Sequence, residues 1–360
     1  MKELLCETRS SQVYRVSAPD AAKTYVVKVL KSNFASALDI LSFKQEFAVG
    51  SHFLGPQVVN FHDFIHFNNT YGIVLEDFDA IELEQLGPKD LTTYIAIAQQ
   101  ITAGLQDIHS KGYVHKDLTL SNILINPESL VVKINDFGLA EPATTVGQNI
   151  SDHILGTLPY ISPEQTGRSN RVLEYRSDFY SLGVCLYRLF SGQFPFIADS
   201  IIGYMHCHLA VEPTPLFEAN PKLPESLNSI VIKLLAKDPD ERYQSIYGIR
   251  KDLEIVLKHL ENPGREHAFH VARYDTSSRF YLCEKLYGRQ EALGALNSVF
   301  DNAISDSPKL CMVKGPPGIG KSKLIAEFCR HITKKRGRSM FARFEQFEQA
   351  MPYAGFNQAV

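Results

Sequence analysis

The chain has 360 residues, 44% of them hydrophobic and 21% charged, with a formal net charge of -3. That length exceeds the roughly 250 to 300 residues one hydrophobic core supports, so a seam between two domains is expected. The near-neutral balance argues against nucleic acid as the main partner, because phosphate backbones select strongly basic faces. No run approaches the roughly 18 apolar residues of a membrane span, and Glu3, Glu7, Arg9 and Arg15 interrupt what a secretory signal would need to keep apolar.

In chain order, Gln12 to Val16, Thr24 to Leu30 and Thr70 to Glu76 are rich in β-branched and aromatic residues and predict strands, with a helix over residues 36 to 50. This describes a small, mostly β lobe. Tyr94, Ile97, Ile101, Leu105 and Ile108 then recur at helical spacing and the run stops at Gly112. Ile123 to Ile125 and Val131 to Ile134 read as a short hairpin. Phe179, Leu182, Leu186 and Leu189 share one face of a helix that follows Asp178 and ends before Gly192. Both helical stripes are read as core. A last amphipathic helix, Ile246 to Leu260, is closed by Asn262-Pro263-Gly264, which places the seam between residues 262 and 286. Beyond it a helix near residues 289 to 304, an apolar strand at Leu310 to Val313, a Gly-rich turn, another helix and a strand near Met340 to Phe344 form the opening of an α/β domain. Cys6, Cys185, Cys207, Cys283, Cys311 and Cys329 are scattered without a C-x-x-C pair, as expected of reduced thiols in the cytoplasm.

The stretch carrying most chemistry is Tyr113-Val-His115-Lys116-Asp117-Leu-Thr119-Leu-Ser-Asn122, followed by Asn135-Asp136-Phe137-Gly138. A single H-x-D-x-x-x-x-N is a weak signal, but its pairing with D-F-G at this separation is strong. These motifs resemble those of the protein kinase superfamily, serine/threonine type. The resemblance implies an α+β, two-lobed kinase fold that binds ATP and magnesium and phosphorylates Ser or Thr of a protein substrate. It gives Asp117 the role of accepting the hydroxyl proton, and Asn122 and Asp136 that of metal ligands. Lys28 resembles the lysine on the α- and β-phosphates, and Glu46 its helix partner. Leu75-Glu76-Asp77-Phe78 would be the interlobe hinge that receives adenine, with Leu75 at the back of the pocket and Val13, Val26 and Leu124 against the ring.

Downstream, Gly156-Thr157-Leu-Pro-Tyr160-Ile-Ser162-Pro163-Glu164 resembles the end of an activation segment, with Glu164 expected to pair with Arg242 and Asp178 to anchor the catalytic-loop backbone. Lys116 keeps the positive charge to which a phosphate on that segment would dock, with Thr144, Thr145 and Ser151 as acceptors, while Thr157 is expected to hydrogen-bond inside the site. Two positions depart from the family pattern. The loop Glu7 to Val13 has no glycine, and Thr119 stands where a lysine usually steadies the transferring phosphate, so a lysine restored there is expected to raise the rate.

Beyond the seam, Gly315-Pro-Pro-Gly318-Ile-Gly320-Lys321-Ser322 matches G-x-x-x-x-G-K-S between an apolar run and a helix. Backbone N–H groups of such a loop cradle phosphates, with Lys321 reaching the outer phosphates and Ser322 on magnesium. The Leu286 to Glu291 stretch ahead of it resembles the entry to AAA-type ATPases. The expected division is a kinase domain over 1–262, a linker over 263–285 and an incomplete, truncated P-loop α/β domain over 286–360. The whole resembles the N-terminal part of large bacterial signalling proteins that join such a kinase to an AAA-type ATPase and sensory or histidine-kinase domains. A second reading is a pseudokinase-type nucleotide-binding module that regulates a larger signalling ATPase. Retention of Lys28, Asp117, Asn122 and Asp136 favours the enzyme.

Overall fold

The computed structural model describes residues 2–8, 10–17, 23–31, 37–67, 70–144, 156–169, 171–261, 269–276, 288–305, 307–316, 318–335 and 337. The chain divides into two units, Met1–Ile197 with Pro213–Tyr281, and Ala198–Glu212 with Leu282–Val360.

The first unit opens with strands β1 (Lys2–Glu7), β2 (Ser11–Ser17) and β3 (Thr24–Leu30), helix α1 (Ala37–Gly50), and strands β4 (Phe61–Phe67) and β5 (Thr70–Glu76). The strands form one antiparallel sheet in the order β1-β2-β3-β5-β4. Helix α1 packs on β4 through rings: Phe47 lies 5.4 Å from Phe64 and 6.4 Å from Phe61, and Phe43 lies 6.2 Å from Phe64. Those contacts fix the face of α1 that carries Glu46. Register decides which side chains share a face, since residues directly opposite on paired strands project the same way. Val13 is opposite Lys28, and Val26 opposite Leu75.

The helical part follows β6 (Ile81–Glu82) with α2 (Leu91–Ser110), then β7 (Tyr113–Val114), β8 (Ile123–Ile125), β9 (Val132–Ile134) and β10 (Glu141–Pro142). Helix α2 begins where the Asp90 carboxylate accepts the Thr93 N–H at 2.8 Å and so caps it, and its apolar stripe Ile97, Ile101, Leu105 and Ile108 is buried. Helix α3 (Tyr175–Ser191) follows, α4 (Ile201–Ala210) falls in the second unit, and α5 (Leu216–Ala219), α6 (Glu225–Leu234) and α7 (Ile246–Glu261) complete the first. Helix α3 ends at Gly192, whose left-handed φ of 76° lets its N–H return to the Arg188 carbonyl. It begins at Tyr175, ahead of the expected start, so Asp178 lies in its first turn. Arg242 and Glu164, both fully buried, pair at 2.9 Å. The Arg242 guanidinium also donates to the carbonyls of Ala236, Arg176 and Lys237.

The seam holds a feature the sequence does not show. Residues 269–276 fold back onto α7: the Asp275 carboxylate accepts the Gln244 N–H and the Ser245 hydroxyl, each at 2.7 Å, and Asp252 accepts the Ala272 N–H at 2.7 Å. Ser245 meanwhile accepts the Gly248 N–H at 3.1 Å and so caps α7. A Cβ on Gly248 would sit 2.6 Å from an Asp275 oxygen, so glycine is what admits the strap.

The second unit contains α8 (Gln290–Ser305) and α9 (Lys321–Lys334), near the expected helices. The expected strand Leu310 to Val313 is not one: residues 307–316 carry no ladder, and Leu310 and Met312 are 94% and 71% exposed. A strand exists through its partner, and none of the described residues supplies one. The expected strand near Met340 to Phe344 lies outside the described residues.

Candidate active site

Three elements bring the expected phosphate-side residues together. Lys28 Nζ, on β3, donates to both Glu46 oxygens at 2.7 and 2.8 Å and stands 3.7 Å from Asp136 Oδ2. Burial pulls the Lys28 pKa down, but the Glu46 and Asp136 carboxylates outweigh it and hold the ammonium above its ordinary value. Burial likewise opposes ionisation of Asp136, and Lys28 with the Gly138 N–H reverses it, leaving the carboxyl below its usual range. Glu46 is buried enough to be pushed up to about 7, with Lys28 opposing.

Asp136 has φ of 63°, a left-handed backbone that a non-glycine residue keeps only where its surroundings insist. The insistence comes from Phe137, fully buried and stacked 4.8 Å from Phe53, with Phe61 at 5.8 Å and His115 at 5.3 Å. The Asn135 N–H donates to the Asn122 carbonyl at 2.8 Å and joins this stretch to the catalytic loop.

Asp117 sits in a ring of donors. Asn122 Nδ2 donates to the Asp117 carbonyl at 2.8 Å and to its Oδ2 at 3.1 Å, while the Thr157 N–H and hydroxyl both reach Oδ1 at 2.9 Å. Beneath, fully buried Asp178 accepts the N–H groups of His115 and Lys116 at 2.9 Å each and faces His109 Nε2 at 2.7 Å. Burial raises the Asp178 pKa, yet His109 and these donors bring it below the ordinary 3.8.

Thr119 and Lys116 both stand in contacts that their sequence surroundings do not show. Thr119 is fully buried, and its hydroxyl oxygen accepts the Asn122 N–H at 3.0 Å and meets the Ser121 hydroxyl at 2.8 Å. It shapes the loop, so replacement by lysine removes a support of Asn122 and no gain in rate is expected. Lys116 already has a partner: its Nζ lies 3.1 Å from Glu141 Oε1. Thr145 and Ser151 lie outside the described residues.

On the nucleotide side, the register gathers Val13, Val26, Lys28 and Leu75 on one face, with Leu124 half-buried on β8. Glu76 turns its carboxylate to Lys133 Nζ at 2.6 Å and the Asn60 N–H at 2.8 Å, and its own N–H donates to the Asn60 carbonyl at 3.0 Å, which leaves its carbonyl to face a ligand. The Phe78 carbonyl accepts from Asn126 at 2.7 Å, and its N–H has no partner among the described residues. Sequence reasoning missed Arg15, opposite Val26 on the same face, which grips Asp77 at 2.6 and 3.1 Å and ties β2 to the hinge. An arginine in a strand gives no local sign of such a partner. At the glycine-free loop the Ser11 N–H donates to the Thr8 hydroxyl at 3.0 Å.

In the second unit the loop before α9 has Gly318 at φ 79° and Gly320 at φ 94°, and Lys321 Nζ donates to the Gly315 and Pro316 carbonyls at 2.9 Å each. Ser322 is exposed at the start of α9.

A protein-family model described as protein kinase domain matches residues 2–252. The chain belongs to the protein kinase family. A second model, AAA ATPase domain, matches residues 285–360. Among curated relatives, the kinase is 27% identical over 359 residues to the hybrid signal transduction histidine kinase G of Dictyostelium discoideum, covering 75% of this chain and 10% of the relative. It is 31% identical to a probable serine/threonine-protein kinase of Clostridium perfringens, covering 69% of this chain and 36% of that one. With serine/threonine-protein kinase PknB of Mycolicibacterium smegmatis the identity is 32%, over 63% and 38%. The chain thus spans a minor part of these relatives' lengths. Both domain families use ATP, and no helix among the described residues is long and apolar enough to cross a membrane.

Proposed function

We propose that this kinase transfers the γ-phosphate of ATP to Ser or Thr hydroxyls of a protein substrate, within a kinase domain over 1–262 joined by a linker over 263–285 to a P-loop domain over 286–360. The observation that carries the reading is the joint closure of Lys28 on Glu46 and Asp136 with Thr157 and Asn122 on Asp117. A pseudokinase would have no need of both halves at once.

In this reading Asp117 accepts the proton of the incoming hydroxyl, and Lys28, held by Glu46, lies on the α- and β-phosphates. Val13, Val26, Leu75 and Leu124 enclose adenine while the Glu76 carbonyl and Phe78 N–H bind its edge. Asn122 and Asp136 suit a hard divalent cation, being oxygen donors on neighbouring loops. The Asn122 amide nitrogen is turned to Asp117, which leaves its carbonyl oxygen as the ligand atom. Magnesium bound there with the nucleotide supplies positive charge against the phosphates. Thr157, from the segment before Glu164, orients Asp117 and brings the substrate-side wall up to it.

Gly315, Gly318, Gly320, Lys321 and Ser322 form a second nucleotide site by the same reasoning, with Lys321 moving off its two carbonyls when phosphate arrives. We place the kinase in the cytoplasm, in keeping with thiols outside any disulfide at Cys6, Cys185 and Cys311, and in a longer signalling chain with sensory or histidine-kinase domains. The test is incorporation of labelled phosphate into a generic protein substrate by wild type, Asp117→Asn and Asp136→Ala. Loss of about 10²- to 10⁴-fold in the first variant is expected of a general base, and equal rates in all three would leave the non-catalytic reading standing.

A further inference from the structure

Lys116, the residue before Asp117, is fastened at every polar handle. Its N–H donates to Asp178 Oδ1 at 2.9 Å, its carbonyl accepts from Gln165 Nε2 at 2.6 Å, and its ammonium lies 3.1 Å from Glu141 Oε1. The Lys116 side chain is 6% exposed, and its backbone is left-handed at φ 71°. Such a conformation in a non-glycine residue persists only where neighbours determine it.

Glu141 is itself held from several sides. It follows Asp136-Phe137-Gly138 in strand β10, where it pairs with Val114 of β7, directly ahead of the catalytic loop. The Ala140 carbonyl beside it accepts from Gln45 Nε2 at 3.1 Å, the neighbour of Glu46 on α1. Ala140 and the short strand after it therefore touch α1, the strand into the catalytic loop, and Lys116.

We propose that Glu141 is a positioning residue for phosphoryl transfer: its carboxylate holds Lys116, and through it the Asp117 backbone, without a phosphate on the segment between Asp136 and Glu164. This rests on the kinase reading above. An ammonium is a compact point charge that a single carboxylate oxygen satisfies, whereas a phosphate approaching it would meet the Glu141 charge at close range and be repelled. The fold thus carries its own anion at the place where a modification would otherwise deliver one, and the resting kinase is already switched on at this contact.

The experiment compares initial rates of labelled-phosphate transfer for the full chain before and after phosphatase treatment, with Glu141→Gln, Glu141→Asp and Glu141→Lys alongside. Phosphatase-treated wild type is expected to keep its rate. Glu141→Gln should lower kcat about tenfold, the scale of one charge-assisted contact, with KM for ATP within about twofold. Glu141→Asp should recover most of the loss, and Glu141→Lys should fall at least as far as Gln. A second readout needs no turnover: in nucleotide-free protein, acylation by an amine-reactive reagent followed by mass spectrometry should find Lys116 protected in wild type and modified several-fold faster in Glu141→Gln. Loss of wild-type rate on phosphatase treatment, an unchanged rate in Glu141→Gln, or equal labelling of Lys116 overturns the proposal while leaving the kinase reading intact. A wild type no faster than Asp117→Asn overturns both.

Discussion

Thr157 gives Asp117 two hydrogen bonds on one oxygen, its N–H and its hydroxyl each lying 2.9 Å from Oδ1. The hydroxyl half can be deleted without touching the backbone half. A hydrogen bond to a charged group contributes about 1.5 to 3 kcal/mol, so Thr157→Val is expected to lower kcat about 10- to 100-fold, while Thr157→Ser stays within a few-fold of wild type. Steady-state kinetics with saturating ATP provide the check, and a Val variant as fast as wild type would remove Thr157 from the site.

Magnesium-ATP should stabilise the kinase against heat, by about 2.7 kcal/mol when ligand stands a hundredfold above its dissociation constant. In Lys28→Ala the shift, measured against that variant's own nucleotide-free melting temperature, should shrink. Scanning calorimetry or dye-monitored melting decides, and an equal shift in both proteins would place the nucleotide elsewhere.

The same variant carries a pH signature. Burial raises Glu46 to about 7 from an ordinary 4.5 even with Lys28 beside it. A carboxyl whose folded pKa is raised binds more protons folded than unfolded between those values, so it favours folding at low pH and loses that advantage as pH rises through them. Removing Lys28 moves the folded pKa further up. The stability deficit of Lys28→Ala relative to wild type is therefore expected to be smaller near pH 5 than near pH 8, as read by urea unfolding at both. A deficit independent of pH would mean that Glu46 finds another cation.

Arg242 and Glu164 are both fully buried, so truncating one leaves the other charge without compensation. Glu164→Ala should cost about 3 to 5 kcal/mol, a large part of the roughly 5 to 15 kcal/mol that holds a typical domain together. Chemical denaturation should show the loss in midpoint with little change in slope. A cost below about 1 kcal/mol would mean that the carbonyls around Arg242 suffice.

Thr119→Val keeps the shape of the side chain and deletes the acceptor of the Asn122 N–H. An orphaned buried donor costs about 1 to 3 kcal/mol, and because Asn122 is a proposed metal ligand the variant should need more magnesium for half-maximal rate. A magnesium titration of initial rate tests this, and an unchanged midpoint would make Thr119 purely a packing residue.

Much of this architecture was legible in the residues because its signals are local. Helical spacing of Ile97, Ile101 and Leu105, the stop at Gly192 and the β-branched run of β3 each declare themselves within one element, and the order His115 to Asp136 fixed the catalytic constellation. What escaped depends on distant pairing. Arg15 with Asp77, Lys116 with Glu141, and Asp275 with Ser245 each join residues whose own surroundings in sequence read as ordinary surface charge. Strand β4, Phe61–Phe67, was missed because its register shifts between Phe61 and Asp63 and blurs the alternation. Leu310 to Val313 erred in the other direction: apolar composition announced a strand, but a ladder needs a second edge.

The strap of residues 269–276 also decides where force would enter the lobe. Because Asp275 is fastened to Gln244 and Ser245, the chain beyond residue 276 departs from the beginning of α7 and not from its end at Glu261. Those two points are about 24 Å apart along a helix of 16 residues. The Gln244 side chain donates to the carbonyls of Pro239 and Arg242 and accepts from Arg176, and Arg242 grips Glu164. A pull on the departing chain would thus reach the floor beneath the segment that presents Thr157 through a handful of short bonds, where an exit at Glu261 would have dissipated it in a helix terminus.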